Sequence, residues 1–223
     1  MDSYYEIKQP AKEAFRTQKG TCIQLVLASF LFGLFTTGLN RIVSLLLVFP
    51  LTTLVNFFIS LSVSAVAVNL IGAFIKIAKG EEVQVAELFT LDGFWRKSLT
   101  PWLMNLLIGL WMLLLIIPGL IKTIAYSFTY HLLAEYPDLS GMQAITLSKH
   151  ITKGYKWDIF LFHLSFIGWF LLSIVSLGVM WVVYVGPYWQ IAQANLYQEL
   201  KKQALENGII STHELDGTQG SIF

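Results

Sequence analysis

Long apolar stretches alternate along this chain with short blocks that hold nearly all of its charge. The longest stretch, Ile159 to Gln198, runs 40 residues without Asp, Glu, Lys or Arg. As a helix rising about 1.5 Å per residue it would extend roughly 60 Å, about twice the hydrocarbon thickness of a bilayer, so it predicts two crossings. Three further charge-free windows precede it, Gly20 to Asn40, Ile42 to Ile75 and Ser98 to Ile121. They predict a first span at 21–39 and a second at 51–75, with Pro50 separating the second from a short apolar re-entry. A third span is expected at 99–117. Pro118 and Gly119 then form a turn signal, after which 120–133 returns as a short fourth span. Lys122, Thr123, Ser127 and His131 make that fourth segment polar, and one long kinked helix from Leu99 to about Ala134 is the alternative. Spans five and six are expected at 159–176 and 179–197, with a kink at Gly186 and Pro187 in the sixth. The fold class is therefore an all-α polytopic membrane protein, with about six transmembrane helices as three hairpins and amphipathic cytoplasmic helices beside them. The chain divides into a basic amphipathic segment (1–19), a transmembrane helical domain (20–200) and a polar cytoplasmic tail (201–223).

Each hairpin follows a similar stretch that ends in glycine: EAFRTQKG at Gly20, AELFTLDG at Gly93 and ITLSKHITKG at Gly154. This suggests three repeated units around a pseudo-axis. In the first stretch Ile7, Ala11, Ala14 and Phe15 share a helical face, beside a basic stripe of Lys8, Lys12, Arg16 and Lys19. Such a helix suits the headgroup layer, with each lysine worth about 1 kcal/mol near anionic lipid. In the third, Asp138 or Ser140 can cap a helix whose apolar face is Ala144, Leu147, Ile151 and Tyr155, while Lys149, Lys153 and Lys156 carry charge. These seven cations are the candidates for contact with anionic headgroups.

Composition agrees with a lipid-embedded chain. Charged residues make up 13% of the sequence, where a soluble domain carries about 25%. The net charge of +1 hides a segregation: under the six-span reading 13 of the 15 basic residues fall on the side of the termini, leaving Arg41 and Lys122 opposite. The positive-inside rule then places both termini in the cytoplasm. All 14 acidic residues fall on that side too, which leaves the outer face no carboxylate for acid/base or metal chemistry. The first nineteen residues do not read as a signal peptide. The lone Cys22 excludes an internal disulfide.

Ionisable residues inside the membrane are Lys122, His131 and His163, and these are functional suspects. With Asn105 they form the set that could line a transport path. Lys122 lies near the outer end of its segment and can snorkel. His131 and Glu135 stand at i, i+4, a spacing suited to a proton relay or half of a metal site, although four histidines in the chain supply too few ligands for a metal centre. His163 is expected to bond a neighbouring helix. Asn56, Asn69, Asn105 and Asn195 are expected to hydrogen-bond between helices. No phosphate-binding loop, zinc-protease helix or nucleophile elbow is present, so no catalytic, cofactor-binding or metal residue is expected.

Pro118 and Gly119, Tyr126 with Ser127, the Ala144 to Ser148 segment, Gly154 to Trp157, Ser165 to Trp169 and Pro187 to Tyr197 together resemble an integral membrane family. It is called domain of unknown function 975 and is found widely in Gram-positive bacteria. The resemblance covers about Glu87 to Leu200. It implies a multi-pass protein of the bacterial cytoplasmic membrane and carries no activity or functional residue with it. The expected function is non-enzymatic, as a membrane scaffold, accessory or protective factor; a small transporter or channel is the alternative. Expected partners are the bilayer and its anionic headgroups, and a second copy or another membrane protein, with no nucleic acid and no cofactor.

Overall fold

The computed structural model describes residues 4–46, 51–114 and 116–215, and among them every regular element is helical, with no strand. Side chains of residues 4–7, Leu46, 111–114, 116–118 and Leu120 lie outside the described set, as does the expected break at Pro50. Eleven α-helices are described: α1 (Tyr4–Thr17), α2 (Lys19–Leu46), α3 (Leu51–Ala78), α4 (Phe94–Leu114), α5 (Ile116–Ala125), α6 (Thr129–Glu135), α7 (Gly141–Ile151), α8 (Lys156–Leu164), α9 (Ile167–Val175), α10 (Gly186–Glu206) and α11 (Thr212–Leu215). A 3₁₀ turn (Val85–Phe89) follows α3, and a π-helical turn (Trp181–Val185) leads into α10.

Among the described residues, three stretches are long and apolar enough to cross a membrane: 19–45, 51–78, and 156–175, the last formed by α8 and α9. At 28 residues each, α2 and α3 are roughly 42 Å long and exceed the hydrocarbon layer. The first of these departs from expectation, since α2 continues through Arg41 to Leu46 and so replaces the start of the apolar re-entry with helix.

Residues 94–135 fold back on themselves, as a hairpin and not as one kinked helix. Met104 of α4 packs with Ala125 and Tyr126, and Arg96 near the start of α4 reaches the Leu133 carbonyl of α6 at 2.8 Å. The returning limb is not a single span, however. It breaks between α5 and α6 because α7 captures the backbone groups that the break exposes. Ser148 Oγ accepts from the Phe128 N–H (3.2 Å) and donates to the Ala125 carbonyl (2.9 Å). In α6, Leu132 and Leu133 are fully buried in protein.

The sixth expected span is also interrupted. Gly186 donates its N–H to the Trp181 carbonyl five residues back, which is the π turn. A Cβ at Gly186 would stand 2.7 Å from that carbonyl oxygen, so glycine lets the turn close before Pro187 starts α10. The fifth span breaks at Ser165 and Phe166.

The core gathers at one end of the molecule. It joins Ala11 and Phe15 of α1, Cys22 and Leu25 of α2, Phe74 and Ile77 of α3, Leu132 of α6, Leu147 of α7 and Tyr197 and Leu200 of α10. α3 is its centre, in contact with α1, α2, α4, α6 and α10. The other end is different: Leu34, Phe35, Ile42 and Leu45 of α2, Leu51 and Leu54 of α3, Ile174 and Val175 of α9, and Leu177 after it are exposed apolar side chains. This is the surface expected of helices solvated by acyl chains.

α7 begins on a capping box in which Ser140 and Gln143 exchange hydrogen bonds with each other's backbone, and its face of Ala144, Leu147 and Ile151 is buried as the periodicity predicts. Of the three glycines that end the repeated stretches, Gly93 (φ +64°) and Gly154 (φ +91°) are left-handed turns, whereas Gly20 lies within α2. The similarity therefore extends to the backbone for two of the three units. At the C-terminus Lys201 is buried within α10, and Ile210 and Leu215 join the core, so residues 201–215 are part of the fold.

Candidate functional site

At the packed end, one carboxylate ties three helices together. Glu135 at the end of α6 accepts from Lys79 Nζ (2.5 Å) just after α3, and from Lys201 Nζ and Tyr197 Oη of α10 (2.7 Å each). Gln198 Nε2 adds a fourth bond at 3.2 Å. Lys201 also donates to Tyr136 Oη (3.2 Å) and lies over the Tyr136 and Tyr197 rings. Burial alone would raise the Glu135 pKa, but the bonds from Lys201, Lys79 and Tyr197 outweigh it and bring the carboxyl down to about 2. A carboxylate held ionised with its lone pairs occupied is a poor proton acceptor. Its chemistry is that of a fixed counter-ion.

A cavity of about 590 Å³ opens beside this cluster, walled by Pro10, Lys79, Asn195, Gln198, Lys201 and Leu205 among others. A second, of about 320 Å³, lies between α3, the 3₁₀ turn, α4 and α6. A third, apolar and about 460 Å³, lies between α9 and the π turn. Among the described residues no group of three or more His, Cys, Asp or Glu could hold a metal ion.

The suspects read from the sequence are dispersed. Lys122 is half-buried on α5 and Asn105 exposed on α4, beside Tyr130. His163 on α8 places Nδ1 2.7 Å from the Ile159 carbonyl and Nε2 2.8 Å from Gln193 Nε2 on α10. It thus does bond a neighbouring helix, through a glutamine the sequence reading overlooked. His131 is buried, edge-on to Phe128 and tilted against Tyr197 with ring centroids 5.6 and 5.1 Å away, and neither ring nitrogen has a hydrogen-bond partner. The relay suggested by the i, i+4 spacing is not formed, because Glu135 turns to Lys79 and Lys201. None of these four residues lines the three cavities.

The basic stripe of α1 divides. Lys12, Arg16 and Lys19 are exposed, but Lys8 donates to Ser165 Oγ (2.6 Å) and lies 4.2 Å from the Phe166 ring centroid. Ala11 and Phe15 face the protein interior, Phe15 edge-on to Tyr184 at 5.4 Å. The apolar face expected to enter lipid is thus occupied by protein. On the other stretch Lys149 and Lys153 are exposed, Lys149 over the Tyr126 ring, and Lys156 is half-buried.

The break between α5 and α6, the capped α7 and the Gly–Pro start of α10 all fall within residues 112–204, which match a family model described as Protein of unknown function (DUF975). That segment is similar to the DUF975 family. No curated protein and no solved structure matches the chain. Glu135, Tyr197 and Lys201 lie inside the DUF975 segment, whereas Lys79 reaches them from α3 outside it. The sequence signal for this cluster was a buried-sized apolar helix interrupted by Glu and Lys; their pairing across 66 positions had no local signature.

Proposed function

We propose that this DUF975 chain is a non-enzymatic membrane scaffold: a lipid-immersed set of helices that carries a rigid platform at its charged end. The observation that carries the reading is the Glu135 cluster, which fastens α3, α6 and α10 where α1 and α7 also converge. Ionic groups that could serve a transport path are instead spent on packing: His163 on Gln193, Lys8 on Ser165. The platform faces the cytoplasm of a bacterial membrane in this reading. In this reading both termini lie there, which the distribution of lysine and arginine supports, with six crossings in three hairpins.

Reconstitution separates this from transport. Vesicles holding the purified chain and a pH-sensitive dye should leak protons and alkali cations no faster than protein-free vesicles. A flux well above that background, lost on His163→Gln while insertion is unchanged, would replace the scaffold with a proton-coupled transporter.

A further inference from the structure

In the cavity between α3, the 3₁₀ turn, α4 and α6, which Glu87 and Asp92 also line, two of the three cations, Arg96 and Lys97, have no contacting counter-ion. Arg96 donates through Nη1 to the carbonyls of Tyr136 (2.9 Å) and Leu139 (3.0 Å) and through Nη2 to that of Leu133 (2.8 Å). All three acceptors are neutral, and Nε has no partner. Lys97 Nζ donates to Asn69 Oδ1 at 2.7 Å. The Asn69 amide nitrogen is committed to the carbonyls of Leu88 and Thr90, both at 3.0 Å, which fixes the oxygen toward Lys97. Among the described residues no carboxylate stands within 4.0 Å of Arg96 or Lys97. Asp92 acts on Lys97 and Asp138 on Arg96 only at longer range. The third cation, Lys76, is paired with Glu87 at 2.7 Å and half-exposed.

Two adjacent, half-buried positive side chains without a contacting anion are electrostatically incomplete. Burial lowers the pKa of both, and Arg96 lowers that of Lys97 further; a bound anion would reverse these shifts. The wall over the guanidinium is Gly93, whose φ of +64° favours glycine and whose missing Cβ would stand 3.7 Å from Arg96 Nε and Nη2. Next in sequence to the lining residues, Phe89, Leu91 and Trp95 are 49%, 76% and 61% exposed. Exposed aromatic and aliphatic side chains on this segment suit the depth at which lipid headgroups lie.

We propose that this cavity binds a terminal phosphate carrying uncompensated negative charge, presented by a lipid headgroup as in phosphatidic acid or as free phosphate. Lys97 donates through the two N–H groups that Asn69 leaves unused, Lys76 swings between Glu87 and the anion, and Arg96, already fixed on main-chain carbonyls, contributes charge without moving. The exposed apolar side chains of the same segment favour the lipid as source. The site stands apart from the scaffold reading, since it rests on other residues.

Binding to the purified full-length protein in a neutral detergent tests the proposal, with tryptophan fluorescence and thermal unfolding as readouts. The probes are dihexanoyl phosphatidic acid, inorganic phosphate and dihexanoyl phosphatidylcholine. Phosphatidic acid should bind at least about tenfold more tightly than phosphatidylcholine, the difference that one charge-assisted hydrogen bond makes. Lys97→Gln, whose amide can still donate to Asn69, should weaken phosphatidic acid about tenfold, Lys76→Gln less, and Lys202→Gln on α10 not at all. Tighter binding of phosphatidic acid than of inorganic phosphate identifies a lipid as the source, and equal binding identifies a soluble phosphate; either supports the site. Equal affinity for phosphatidic acid and phosphatidylcholine, or no loss in a folded Lys97→Gln protein, overturns it.

Discussion

Glu135 accepts four hydrogen bonds on two oxygens, and two of its donors are charged. Its pKa of about 2 in the fold lies below the ordinary 4.5, so the ionised form stabilises the native state. That contribution is complete above about pH 4.5 and is lost as pH falls toward 2. Thermal unfolding in detergent should therefore move to lower temperature as the solution is acidified through this window. Glu135→Gln leaves Lys201 buried without its counter-ion and should cost roughly 3–5 kcal/mol near neutrality, with a flatter acid limb. An acid limb unchanged in the variant would assign the pH dependence to other carboxylates. His163 makes a smaller claim. His163→Leu orphans Gln193 and should cost roughly 1 kcal/mol, whereas His163→Gln, keeping a donor and an acceptor, should cost less; circular-dichroism melts of the two variants measure the difference.

At the scale of the element, the informative case is the segment after α4. Its hydropathy reads as a short span, yet the structure divides it into α5 and α6 through two hydrogen bonds to one hydroxyl on α7. Ser148→Ala orphans the Phe128 N–H and leaves the Ala125 carbonyl with the long 3.4 Å contact from Thr152. The expected cost is about 1–3 kcal/mol, visible as a lowered melting temperature and faster amide exchange at 126–129. No change in either would mean that the break is intrinsic to the α5–α6 sequence. Periodicity within one stretch made the α7 face legible, because Ala144, Leu147 and Ile151 repeat at helical spacing. It could not show the occupant of a face. The apolar side of α1 reads equally well as a surface for lipid or for protein, and only the arrival of Tyr184 and α10 decides between them. The same limit hid the candidate anion cavity, whose Asn69, Lys76, Arg96 and Lys97 were sorted by sequence into polar anchors and flanking charge.

For the whole molecule, the all-helical class and the hairpin return after α4 were legible from charge-free runs, but the turn expected at Pro118 and Gly119 is not there, since both residues lie within α5. The helix breaks at 126–128 and 165–166 were not legible, since tertiary hydrogen bonds and packing set them. Reporter fusions test the six-crossing reading directly. Those at Gly119 and Gly178 should report the outside, and those at Gly93 and Gly154 the cytoplasm; cytoplasmic activity at Gly119 would remove the second hairpin from the bilayer. The uneven placement of the core has a further consequence. Helix ends whose large side chains are exposed take part of their cohesion from acyl chains, so the bilayer is the folding environment at one end and the interior core at the other. Amide exchange should consequently split the molecule: slow at Phe74, Leu132 and Leu200 in any amphiphile, and at Leu34, Leu54 and Ile174 set by the length and order of the surrounding lipid.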